Sequence, residues 1–435
     1  SVIDSNFNRM LPVSEHIILE KDISRLLLKN YNKQILEPYN MCNLRSIGLY
    51  DQQPIGLIWN RNSCFFNSIM QCLFNIEDFM CLLQLPLNIL GTTINNLMSG
   101  PFLFSTIRTM SDNYLGADKG SDININAYRD QLYQHTLIKT TTGMRGLGKQ
   151  EDASEVLVKI LEILTIELNF AIAYLGNNHY FTQDKLEIIN RLNSLLPTRE
   201  FNNIDLNYQL LEKYQQSRTL SIINNIFSYT PFYHTTYKCI GEAMRIENKF
   251  NYFHQTLELP LPVTGRTLDV NDLLELFLQE EVFDTENIPK VCIENTQASE
   301  YKRSMKLSNL GNNLIIIIKR NAFDHRGRTS KIMDNVNVNI NLNLPYYSSD
   351  DMSIEKINKY NLRGVVYHHG DQVTGGHYTS VIHRNTPNNP WWVCDDQHIS
   401  QLDLANYHNK QQDGNEYLLD GRGSGVSYIL FYSLA

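Results

Sequence analysis

Residues 60–63 are small or polar, and beyond them Phe65, Ile69, Cys72 and Leu73 recur at i, i+4, i+7 and i+8, one face of an amphipathic helix. The spacing predicts a helix that starts at or beside Cys64. An apolar, helical stretch is expected to about residue 110, followed by a polar loop over 111–126, a second helical piece and a loop over 140–149. From Asp152 the helical period is clearest: Ala153, Val156, Leu157, Ile160, Leu161, Leu164 and Leu168 form one stripe, with Glu155, Lys159 and Glu162 off it. Residues 1–50 carry one predicted helix, around 17–28, and read as an accessory N-terminal segment. Residues 183–216 read as two helices broken at Pro197 in a polar surface insertion.

Beyond about residue 218 the period becomes alternating or continuous, and strands are predicted at 237–240, 253–259, 313–319, 336–344, 362–367, 378–383, 391–394 and 427–432. The run from Leu314 to Ile318 is β-branched nearly throughout and suits a central strand buried on both faces. Val336, Val338, Ile340, Leu342 and Leu344 alternate with asparagine, which predicts one packed and one wet face.

Composition narrows the function classes. With 42% hydrophobic and 19% charged residues, the 435-residue chain is a folding one with a sizeable core. A net charge of −8 leaves no basic stripe to neutralise phosphates, so nucleic acid is excluded as a partner and a basic protein or peptide fits better. Seven cysteines at scattered spacings do not form a disulfide framework and point to a reducing compartment. Apolar runs fall far below the roughly 18 residues that span a bilayer, and no charged-then-apolar signal segment opens the chain, so no membrane partner is expected.

The candidate chemistry centres on Cys64. Unpaired N–H groups at a helix N-terminus favour a thiolate, lowering a cysteine from its free value of about 8.5. A thiolate nucleophile needs a base and a group that fixes the base. His377 follows Gly375 and Gly376 at the entry to a strand and is placed as that base, with His368, His369, His383 and His398 as neighbours competing for the role. Asp395 and Asp396 end the strand at 391–394, either as turn formers or as the orienting carboxylate.

Taken together, these segments resemble the ubiquitin-specific protease family of papain-like cysteine proteases, from about residue 55 to the C-terminus. Residues 56–73 resemble its cysteine box, 150–155 (Gln-Glu-Asp-Ala-Ser-Glu) its glutamine-aspartate box, 360–396 its histidine box and 427–432 its closing strand. The resemblance implies an α+β fold likened to a hand: a helical thumb over about 51–217, and β fingers and palm over about 218–435, all within a catalytic domain of residues 51–435. It implies Cys64 as nucleophile, His377 as general base and acid, and Asp395 as orienter, with Asp396 as the alternative. Asp152 and Glu155 would face the basic C-terminal tail of ubiquitin, and Gly376 and Tyr378 would also line the substrate site. Ubiquitin or ubiquitinated proteins are the implied partners of a monomer that works in the cytoplasm or nucleus without a cofactor. Rival readings are a catalytically silent ubiquitin-binding module and a protease for another ubiquitin-like modifier.

The chain departs from the family pattern twice. Where the family often has two Cys-x-x-Cys pairs holding zinc, only Cys239 and Cys292 remain, with Glu242 and Asn295 in the second places, so no metal site is expected. Trp59 stands where the family has the asparagine of the oxyanion hole, and Arg61 replaces a glycine. Trp59 is expected to pack into the thumb, and Asn60, one residue along, to take over as the oxyanion donor.

Overall fold

The computed structural model describes residues 48–84, 103–134, 144–177, 223, 226–250, 254–308, 310–347, 353–372 and 375–435, with no side-chain description for 166–177 and 250. The expected helix at 17–28 and the insertion at 183–216 lie outside these residues, and so does part of the expected loop at 140–149. The chain divides into two compact units, residues 1–226 with 363–403, and residues 227–362 with 404–435. This division cuts the chain differently from the thumb and fingers-plus-palm boundary near 217, because residues 363–403 cluster with the helices.

In the first unit the helix Cys64–Phe74 begins where the sequence predicts, yet it is buried all round, not on one face only. Its polar residues explain why burial is tolerated: Gln71 donates to Ile55 O (2.6 Å) and accepts from Tyr114, and Asn75, just past the helix, donates to the carbonyls of Arg363 and His383. The helix packs on the strand His377–His383, which lies between Trp391–Asp395 and residues 364–369 in an antiparallel ladder completed by His398–Gln401. A Cβ at Gly364 would come within 2.9 Å of Cys72 Sγ, so the sheet can approach the helix closely only with glycine there. The helix Ala153–Asn177 buries the predicted stripe from Ala153 to Leu164. The polar loop expected from 111 is instead helical to 116, since Leu103, Ile107, Met110 and Tyr114 continue one buried face through it.

In the second unit Asn313–Lys319 pairs antiparallel with Gly425–Leu434 and parallel with Thr256–Pro260, as a strand buried on both faces should. The stretch 336–344 is not one strand. Val336–Asn339 pairs with Leu268–Asp269 and Glu416–Leu418, and Asn341–Tyr347 joins a different ladder with residues 355–361, the switch occurring at Ile340, whose N–H is held by Glu416 O. Thr230–Lys238 lies between Arg245–Phe250 and Glu300–Ser308, two strands whose charged sequences hide them from an apolar pattern.

Cys239 and Cys292 are joined as a single disulfide, a pairing the sequence did not predict, and as a disulfide neither offers a thiolate to a metal. The other described cysteines, 64, 72, 81 and 394, are free and buried. Closing a 53-residue separation restricts the unfolded chain, so reduction is expected to cost about 2–4 kcal/mol of stability. The check is the denaturation midpoint with and without reductant, set against a Cys239→Ser, Cys292→Ser double variant. A parent midpoint indifferent to reductant would count against the bond.

Candidate active site

Every residue of the site belongs to the first unit. Cys64 opens its helix and is almost wholly buried. The turn before it is left-handed at two non-glycine residues, Arg61 (φ 48°) and Asn62 (φ 58°), a conformation that the surroundings must impose. They do so through carbonyls. On the helix Asn126–Gln134, the buried Arg129 donates from Nη1 to the oxygens of Asn60 (2.6 Å) and Arg61 (3.0 Å), and Asn126, one turn earlier, donates to Ile58 O (2.9 Å). Asn67, one turn into the Cys64 helix, donates to Leu57 O at 3.2 Å and to Asp396 Oδ1 at 2.9 Å. Across the turn, Asn62 Nδ2 donates to Gly148 O, and both carboxamide atoms of Gln150 lie 3.5 Å from Cys64 Sγ.

His377 begins the strand His377–His383, and its Nε2 meets Asp395 Oδ1 at 2.7 Å, with Asp396 Oδ2 at 4.0 Å. That leaves Nδ1 for the thiol side. The hydrogen bond to Asp395, followed by the interaction with Cys64, pushes the His377 pKa up to about 10 against the opposing effect of burial. Imidazolium is therefore the resting form at neutral pH, and its contribution to stability is full below the ordinary value of 6.5 and lost as pH rises through about 10. The metal-ligand type atoms of His377, Asp395 and Asp396 lie within 4.8 Å of one another, the first two joined by the 2.7 Å hydrogen bond and Asp396 held by Asn67. Gly376 (φ 96°) leads into His377, and a Cβ there would fall 2.0 Å from His369 O, so the approach to the histidine requires glycine. The turn after Asp395 grips the chain ahead of Cys64: Leu57 N–H donates to Asp396 O and Trp59 N–H to Gln397 Oε1.

A family model described as ubiquitin carboxyl-terminal hydrolase matches residues 55–432. The chain belongs to the ubiquitin carboxyl-terminal hydrolase family. It is thereby classed among the cysteine-type deubiquitinating hydrolases. A probable ubiquitin carboxyl-terminal hydrolase 3 of Schizosaccharomyces pombe is 23% identical over 395 residues, covering 88% of this chain and 74% of that protein. Mouse ubiquitin carboxyl-terminal hydrolase 10 is 24% identical over 397 residues, 84% of this chain but 48% of that protein, so the chain spans about half the length of such relatives. In fold it is similar to a solved SAGA Ubp8/Sgf11/Sus1/Sgf73 DUB module bound to ubiquitin aldehyde, with a TM-score of 0.56, 17% identity, and coverage of 93% of this chain and 74% of that one. The α+β papain-like fold implied by the sequence is the observed one.

Other expected site residues of this hydrolase are less simply disposed. Asp152 caps the helix Ala153–Asn177, its Oδ1 accepting from Ser154 N–H and hydroxyl, so its helix-capping role is real whatever else it does. Glu155 is exposed, with its carboxyl pushed up by desolvation and then by the charges of Asp152 and Glu151. Tyr378 is buried, its hydroxyl accepting from Ala153 N–H, which ties the histidine strand to the start of that helix. Trp59 is 49% exposed and does not pack into the helices, and Asn60 is exposed too, its backbone tied at N–H to Ser63 Oγ and at oxygen to Arg129. Sequence reasoning missed Arg129, Asn126, Asn67, Glu151 and Gln397, all of which hold backbone groups. Among the competing histidines, His368 donates to Gly375 O, His369 meets Thr379 Oγ1, and burial followed by Arg363 pushes His383 down to about 4.

Because the Asp395 carboxylate is the first cause of the raised His377 pKa, Asp395→Asn is expected to lower it. A titration of the ring followed by NMR in parent and variant checks this. An unmoved midpoint would show that Asp395 does not govern the histidine.

Proposed function

We propose that the chain is a thiol-dependent deubiquitinase that cuts the bond after the C-terminal glycine of ubiquitin. The observation that carries this reading is His377 hydrogen-bonded to Asp395 and close enough to Cys64, at a helix start, for the cysteine to help raise its pKa. The Cys64 thiolate attacks the glycine carbonyl carbon, the amine leaves with the proton held by His377, and a thioester remains. Water then gives up a proton to His377 and hydrolyses the thioester, returning the thiolate and imidazolium. Asp395 holds the ring in register throughout, and the carboxylates of Asp152 and Glu155 pair with arginines of the basic tail. Residues 51–435 serve as the catalytic domain and 1–50 as an accessory segment, in a monomer of the cytoplasm or nucleus. No helix among the described residues is long and apolar enough to cross a membrane.

The test is reaction of the protein with ubiquitin, and with its ubiquitin-like relatives, each carrying a C-terminal electrophile, followed by mass spectrometry of the adduct. Selective labelling of Cys64 by ubiquitin is the expected result. Labelling by a different modifier would reassign the substrate, and inertness toward all of them would make the chain a binding module.

A further inference from the structure

The acyl-transfer reading demands a donor beside the sulfur, and the two residues that the sequence offers for it, Trp59 and Asn60, are both exposed. A tetrahedral intermediate places negative charge on an oxygen bonded to the carbon that has just bonded to Sγ, and donors must already be aimed at it. The backbone N–H of Cys64, at the helix start, is one. Trp59 is turned to solvent with its backbone N–H engaged by Gln397, and Asn60 is exposed.

Gln150 is differently placed. Its carboxamide touches the sulfur itself, with Nε2 and Oε1 each 3.5 Å from Sγ. Its position is fixed from both sides. The next residue, Glu151, is buried, and its carboxylate accepts from the N–H groups of Arg145 (2.8 Å) and Gly146 (3.0 Å) and from Tyr133 Oη (3.1 Å), closing the loop 145–151 on itself. The Cys64 turn is joined to that loop through Asn62 Nδ2 and Gly148 O at 3.1 Å. A donor in contact with Sγ and anchored in this way is within reach of an oxygen one carbon from Sγ, and it needs no reorganisation as charge develops.

We propose that Gln150 is the side-chain oxyanion donor of this chain, an inference that rests on the deubiquitinase reading. As the Sγ–C bond forms, the carbonyl π pair moves onto oxygen and is met by Gln150 Nε2–H and Cys64 N–H. When the pair returns, the C–N bond breaks and the amine departs with the proton from His377. In the resting state the same carboxamide rests against the sulfur, so the donor is in place before substrate arrives.

The experiment compares the parent, Gln150→Ala and Asn60→Ala in two reactions of the same thiol. Alkylation by iodoacetamide displaces iodide and creates no oxyanion, whereas hydrolysis of a fluorogenic ubiquitin C-terminal amide does. Gln150→Ala is expected to lower kcat by about 10²- to 10³-fold, with KM and the alkylation rate within a few-fold of the parent. A loss of that size in Asn60→Ala with Gln150→Ala at parental kcat overturns the proposal. So does a parallel fall of alkylation and turnover in Gln150→Ala, which would assign Gln150 to holding the loop. A structure of the parent chain's ubiquitin aldehyde adduct tests the same point without a variant. The hemithioacetal oxygen is expected about 2.7–3.1 Å from Gln150 Nε2, and an oxygen beyond hydrogen-bond reach of it overturns the assignment. A parent that is alkylated but leaves the ubiquitin amide intact would instead remove the deubiquitinase reading beneath it.

Discussion

Cys64→Ala is expected to lower turnover of a ubiquitin C-terminal amide by roughly 10⁶-fold, the scale seen when a covalent nucleophile is deleted from a catalytic triad. Such a factor is about 8 kcal/mol of transition-state stabilisation. The change removes one sulfur from a site that is 2% exposed, and the sulfur's described contacts are Gln150 and His377. Folding should hardly notice, because the loop carbonyls are held by Arg129, Asn126 and Asn67 and not by the thiol. Ubiquitin affinity and melting temperature should therefore stay near parental while hydrolysis vanishes. Cysteines 72, 81 and 394, buried and outside any disulfide like Cys64, remain in the variant, so residual turnover at the parental rate could come only from one of them or from a site without a thiol. Turnover by Cys64→Ala at the parental rate would end the assignment of the nucleophile.

How much of this could be read from the sequence depends on what kind of interaction fixed each part. The start of the Cys64 helix was legible, because polar residues 60–63 give way at once to apolar residues at helical spacing. The strand 313–319 was legible to the residue, since a β-branched run of that length has few alternatives. Strand Glu300–Ser308 was not, because four charged residues in nine obscure any alternation while backbone pairing on both sides still holds it. The turn around Cys64 was illegible for another reason. Arg129 on a polar helix reads as a solvated cation, and Glu151 as a helix-start charge, yet each is buried by accepting or donating to backbone groups of loops near in space. Such contacts carry no periodic signal. The resemblance to a family pattern suggested a substitute for the residue at 59 along the chain, whereas the side chain beside the sulfur comes from 86 residues away.

Asp420→Ala is expected to destabilise the second unit by about 3–5 kcal/mol, the cost of leaving one member of a buried ion pair without the other. Set against a usual total of about 5–15 kcal/mol, that is a large share. The Arg320 and Asp420 side chains are 2% and 0% exposed, and Arg320 Nη2 meets Asp420 Oδ2 at 3.2 Å. The rest of the guanidinium holds the carbonyls of Ser427, Ile332 and Asp334. Asp420 accepts in addition from Val336 N–H, Ser427 N–H and the Ser427 hydroxyl, so it gathers the ends of three segments. Removing it strands both a cation and two backbone donors. Burial outweighs Arg320 and pushes the Asp420 pKa up to about 6, so the folded state keeps this proton to higher pH than the unfolded chain, whose carboxyl titrates near 3.8. The group's contribution therefore declines as pH rises from about 4 through 6. Denaturant midpoints of parent, Asp420→Ala and Asp420→Asn at several pH values check both statements. The parent's advantage over Asp420→Asn should shrink across that interval, and Arg320→Met combined with Asp420→Ala should cost less than the two changes summed, because the stranded cation is gone. A midpoint unchanged by Asp420→Ala, or strict additivity in the double variant, would show that the pair does not hold these segments together.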